Sequence, residues 1–161
     1  MWPPPDPGDI VWCRFPQGVV PDPGPKSRPA LVIAVDHRTS LDFVVAAYGT
    51  SQKLDRIYKG EFALLHQVNL AAFNATGLAY STKFDLNRLF VMPWGRDYFA
   101  VPPSMAARQN PKLGVLQGDA MLRFLEAARQ ISLGEKVENL LIAQNLLPSL
   151  PKIVGKPKPQ K

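Results

Sequence analysis

Apolar residues are arranged differently in the two parts of the chain, as short runs up to about residue 95 and at helical spacing beyond residue 118. In Gly8-Asp9-Ile10-Val11-Trp12-Cys13-Arg14-Phe15, Ile10 and Trp12 fall on one face and Val11, Cys13 and Phe15 on the other, which predicts a first strand. Nine of the seventeen prolines precede residue 30, and Pro21-Asp22-Pro23-Gly24-Pro25 can extend neither a helix nor a central strand, so it predicts a loop. Ala30-Leu31-Val32-Ile33-Ala34-Val35 and Phe43-Val44-Val45-Ala46-Ala47-Tyr48 are apolar runs on either side of the polar residues 36–42. A connection that short makes them an antiparallel pair. Further strands are expected over residues 61–65, 81–86 and 89–92. Many short strands without long helices between them predict a mainly β fold, a small barrel or strongly coiled sheet.

After Pro102-Pro103 the period changes. Met121, Leu122, Leu125, Ala128 and Ile131 share one helical face, and Arg123, Glu126 and Gln130 take the other, with Asp119 as the expected N-cap. Ser132-Leu133-Gly134-Glu135 fits a capping box for a second helix through Val137, Leu140 and Leu141, ending before Pro148. The organisation predicted is a barrel with a proline-rich N-terminal loop over 1–102, C-terminal helices packed on the same domain over 103–150, and a disordered basic tail over 151–161.

Composition adds limits. With 161 residues, 46% apolar and 20% charged, the chain suits one domain. No apolar run approaches the roughly 18 residues of a membrane span, and Met1-Trp2-Pro3-Pro4-Pro5 lacks the pattern of a signal peptide. Cys13 is the one cysteine, so neither an internal disulfide nor a cysteine-based zinc site can form, and a reducing cytoplasm is the expected location. The net charge is +6, but Lys152, Lys156, Lys158 and Lys161 supply four of those charges in the tail. Such a balance permits an acidic partner without identifying one.

Phosphate-binding glycine loops, HExxH and GxSxG are all absent from the sequence. His37 and His66 are its two histidines, and they could work as an acid–base pair only by converging in space. Of the tryptophans, Trp12 reads as core, and Trp94, beside Gly95-Arg96, is the better candidate for an exposed contact. Lys26-Ser27-Arg28-Pro29 places a guanidinium between a loop and a strand, and Pro29 biases Arg28 towards an extended backbone. Two uses are open to Arg28: a charged fork at the strand mouth, or a donor to loop carbonyls. Tyr48-Gly49-Thr50-Ser51-Gln52-Lys53 likewise reads as a polar binding cluster or as a hydrogen-bonded turn. If the strands pair antiparallel, Arg28 and Thr50 lie at the same end of the pair.

Gly8-Asp9-Ile10-Val11-Trp12, Arg28-Pro29-Ala30-Leu31-Val32-Ile33 and Thr50-Ser51-Gln52, in this order and spacing, resemble the PemK/MazF family of toxin endoribonucleases over about residues 8 to 95. The resemblance implies an SH3-like barrel, a homodimer, a cognate antitoxin, and sequence-specific cleavage of single-stranded RNA without metal or other cofactor. The products would carry 2′,3′-cyclic phosphate and 5′-hydroxyl ends. By the same resemblance Arg28 and Thr50 are the catalytic residues, and Lys26, Ser51, Gln52, Lys53 and Lys83 are RNA contacts, with Asp85 on the strand of Lys83. The chain departs from the family pattern at the proline-rich residues 16–25 and at Tyr48-Gly49. Two other readings remain: a barrel that binds antitoxin, gyrase or nucleic acid without cutting, and a DNA-reading use of the helix pair over 119–147.

Overall fold

The computed structural model describes residues 2–17, 22–68, 70–146 and 152–154. Six strands, β1 (Asp9–Cys13), β2 (Arg28–Asp36), β3 (Phe43–Thr50), β4 (Glu61–Leu64), β5 (Thr82–Pro93) and β6 (Lys112–Val115), form an antiparallel sheet in the order β4-β5-β3-β2-β1-β6. Register shifts at Ile10/Val11, Val32/Ala34 and Ala47/Tyr48 interrupt the ladders. Each such shift sharpens the local twist, so the sheet curls into a half-barrel. The fold is mainly β with C-terminal helices.

Both faces of the sheet are covered, which explains why its central strands read as unbroken apolar runs. On one face Ile10, Leu31, Phe43, Val45, Ala47, Phe84 and Leu89 pack beneath α1 (Leu70–Ala75), α2 (Asp119–Gln130) and α3 (Leu133–Leu146). On the other, Val11, Cys13, Phe15, Val32, Ala46, Phe90 and Met92 are closed over by Trp2, Trp94, Tyr98 and Phe99. Trp94, the better candidate among the tryptophans for an exposed contact, is therefore buried, and its indole N–H donates to the carbonyls of Trp2 and Pro3, both at 3.1 Å.

Several expectations change in detail. The strands expected over 81–86 and 89–92 are one strand, β5, bulged at Leu86-Asn87-Arg88, because Ala47 pairs with Leu89 while its neighbour Tyr48 pairs with Asp85. Gly118, at φ 59°, precedes α2, so Asp119 lies in its first turn and pairs with Arg123 at 2.9 Å instead of capping it. Ser132 adopts φ 52° between α2 and α3. The face α2 buries is rotated from the expected one: Ala120 and Ala127 are buried, while Leu122 and Leu125 are 66% and 53% exposed. Of residues 151–161, Lys152–Val154 forms β7, paired with Leu89–Val91, and the rest lies outside the described residues. Among the described residues no helix is long and apolar enough to cross a membrane.

Candidate active site

The β2–β3 register sets the geometry of the strand mouth. Ala30 pairs with Tyr48. Arg28 stands two residues before Ala30 and Thr50 two after Tyr48, so both lie just past the last pair at the same end of the two strands. Gly49 lets the strands close up there, because a Cβ on it would lie 2.6 Å from the Pro29 carbonyl oxygen and 2.8 Å from the Phe84 ring.

Arg28 is half-buried, and among the described residues its guanidinium has no hydrogen bond or ion pair. Among the described residues it binds no loop carbonyl. Its Cζ lies 5.8 Å from the centroid of the Tyr48 ring. Thr50 Oγ1 accepts the backbone N–H of Gln52 at 3.2 Å, which leaves the hydroxyl proton free to donate. The polar cluster is therefore a hydrogen-bonded turn and also presents an available donor.

Arg88 is a residue the sequence reading passed over. Its Cζ stacks 4.1 Å from the Tyr48 centroid, on the ring that Arg28 also approaches, and Phe15 packs against that ring at 5.1 Å. Arg88 arrives there through the β5 bulge, where Asp85 accepts the backbone N–H of Asn87 at 2.9 Å and its side-chain N–H at 3.2 Å. The signal in the sequence was the polar Asn87-Arg88 between two apolar runs. Two guanidiniums around one ring, without carboxylate partners among the described residues, form a cationic mouth suited to phosphate oxygens.

The remaining candidates fall into two groups. Lys26, Ser51, Gln52 and Lys53 are exposed beside the mouth. Lys83 pairs with Thr50 in register, yet only 6% of it is exposed, and its ammonium donates to the carbonyls of Lys53 at 3.1 Å and Arg56 at 2.9 Å, with Glu61 at 3.4 Å. Lys83 thus ties down the segment that carries Ser51, Gln52 and Lys53, and does not itself face solvent. The histidines do not converge. His37 bonds Asp42 at 2.7 Å in the loop at the far end of β2 and β3, and His66 lies beyond β4 against Ser81.

No curated protein matches the chain in sequence. The family model described as PemK-like, MazF-like toxin of type II toxin-antitoxin system matches residues 6–90, more than half of the chain. The matched span runs from β1 through most of β5 and contains Arg28, Thr50 and Arg88. A curled antiparallel half-barrel and this match agree: the chain belongs to the PemK-like, MazF-like toxin family of type II toxin-antitoxin systems.

Proposed function

We propose that the protein is a metal-independent endoribonuclease toxin that cleaves single-stranded RNA at the β2–β3 mouth. The observation that supports this most is that Arg28 and Thr50 stand at the same end of two paired strands, the guanidinium without a hydrogen bond among the described residues and the hydroxyl accepting only the Gln52 N–H there. The RNA 2′-oxygen forms a bond to the adjacent phosphorus as the bond to the 5′-oxygen breaks. The 2′-hydroxyl gives up its proton and the leaving 5′-oxygen gains one, which yields a 2′,3′-cyclic phosphate and a 5′-hydroxyl.

Arg28 binds the non-bridging oxygens as their charge grows, and Thr50 donates a further hydrogen bond. Preorganised donors of this kind contribute about 2.7–4 kcal/mol each. Arginine is not the base that takes the 2′ proton: with a pKa above about 12, roughly one guanidinium in 10⁵ is deprotonated at neutral pH. Its work is charge stabilisation, for which the planar fork matches phosphate geometry. Arg88 adds a second cation, and Lys26, Ser51, Gln52 and Lys53 line the approach. A homodimer held in check by a cognate antitoxin in the cytoplasm goes with this reading.

The test is to incubate the purified protein with a mixed RNA pool in EDTA and map the ends, beside Arg28→Ala and Thr50→Ala. Cyclic-phosphate ends from the wild-type chain, reduced at least about a hundredfold in Arg28→Ala, support the proposal. Binding of labelled RNA with no new ends at any sequence would favour the non-cutting module.

A further inference from the structure

An open cleft of about 850 Å³ begins at Ser51, the residue after Thr50, and runs to His66, Tyr80 and Ser81. Leu54, Leu65 and Ala79 give it apolar walls. Asp55 and Gln67 also line it, and among the described residues no lysine or arginine does. A cleft with a carboxylate and no cation repels phosphate. Apolar walls edged by a few directed polar groups suit a flat, uncharged heterocycle instead.

Two side chains are preset for such a ligand. Thr82 Oγ1 donates to the Tyr80 carbonyl at 2.8 Å and fixes the backbone there, while 74% of Tyr80 stays exposed at the cleft. Unpaired bases stack on aromatic rings so presented. Ser81 Oγ accepts the backbone N–H of His66 at 3.0 Å and lies 3.0 Å from His66 Nδ1. That contact occupies Nδ1 and leaves Nε2 as the ring nitrogen available to a ligand in the cleft. Phe73, at 6.1 Å between ring centroids, holds the imidazole from the side.

We propose that this cleft is a subsite for the nucleobase next to the scissile linkage, which stacks on Tyr80 and is read by Asp55 and His66. The inference rests on the nuclease reading for its position, since Ser51 joins the cleft to the Thr50 mouth. An ionised carboxylate only accepts hydrogen bonds, and guanine presents two adjacent donors on its Watson–Crick edge together with acceptors for an imidazole N–H. Guanine is the base this set fits best, and uracil, with a single N–H, fits worse.

The test uses 2′-O-methyl hexanucleotides, which cannot be cut: hexauridine, and versions with one guanosine at each position in turn, titrated calorimetrically. One guanosine position should bind the wild-type chain at least about fivefold more tightly than hexauridine. Tyr80→Ala, which removes an exposed ring, should weaken that oligonucleotide roughly five- to 150-fold. Asp55→Asn should abolish the guanosine preference while hexauridine affinity stays. Unchanged affinity in Tyr80→Ala, an intact guanosine preference in Asp55→Asn, or no oligonucleotide binding by the wild type would each overturn the subsite. Failure to cut RNA would instead overturn the nuclease reading and leave this binding measurable.

Discussion

Replacing Lys83 by methionine keeps the length of the side chain and removes its charge. The ammonium sits beneath the 51–60 segment, bonded to the carbonyls of Lys53 and Arg56 and 3.4 Å from the Glu61 carboxylate, itself buried. Removing one partner of a buried ion pair costs about 3–5 kcal/mol. Glu61 retains the backbone N–H of Tyr58 at 2.8 Å, and the two carbonyls belong to exposed residues that water can reach. Both facts place Lys83→Met near the lower end, about 3 kcal/mol. For a domain of this size that is a fall of roughly 6–12 °C in Tm. Adding Glu61→Gln removes the buried carboxylate charge that faced the ammonium and keeps an acceptor for Tyr58, so the double variant should recover about 1–2 kcal/mol relative to Lys83→Met. Urea denaturation followed by circular dichroism of the four proteins of this cycle measures both values. A loss below about 1 kcal/mol, or a coupling within about 0.5 kcal/mol of zero, would refute the assignment of Lys83 as the anchor of this segment.

Arg88→Ala should leave folding intact, since the side chain is exposed, and should weaken RNA binding with a salt dependence reduced by about one phosphate contact; filter binding over a salt series reads this, and an unchanged slope counts against the cationic mouth. Asp36 is buried and accepts two hydrogen bonds from the Arg38 guanidinium, at 2.8 and 2.9 Å, while Arg38 also donates to the Leu141 carbonyl of α3 at 2.6 Å. The side-chain hydrogen bond from Arg38 holds the Asp36 carboxyl below its ordinary value. The stability this contributes is present above the unfolded carboxyl pKa of about 3.9 and is lost as pH falls through the lower folded value. Asp36→Asn should therefore lower stability at pH 6 by about 1–2 kcal/mol and flatten the acid limb of stability against pH; parallel curves for the two proteins would contradict it.

How far the sequence foretold this molecule depends on where each signal came from. Strands β1, β2 and β3 were legible because alternation or an unbroken apolar run between turn residues is a local pattern, and the shared strand end of Arg28 and Thr50 followed from pairing two of them. Helix α1 has six residues, too few to show a period, and β6 is the four-residue Lys112–Val115. Gly114 in β6 reflects a neighbour distant in sequence, since a Cβ there would lie 2.3 Å from the Ala75 carbonyl oxygen. The surroundings of Lys83 and Trp94 were hidden for a related reason. A lysine reads as solvated until carbonyls from another segment are seen around it, and an indole beside Gly-Arg reads as exposed until the N-terminal prolines cover it. Arg88 needed the bulge, which appears in sequence only as a polar break in an apolar strand.

The central claim is that the cut is an attack by the RNA's own 2′-hydroxyl at the Arg28–Thr50 mouth. The most direct measurement is cleavage of a short RNA substrate beside the same RNA with a single 2′-deoxy nucleotide on the 5′ side of the mapped cut. The account predicts that this one substitution abolishes cutting at that linkage and leaves other sites in the strand unaffected. Cutting that persists at the deoxy position, or ends bearing a 3′-hydroxyl, would contradict it.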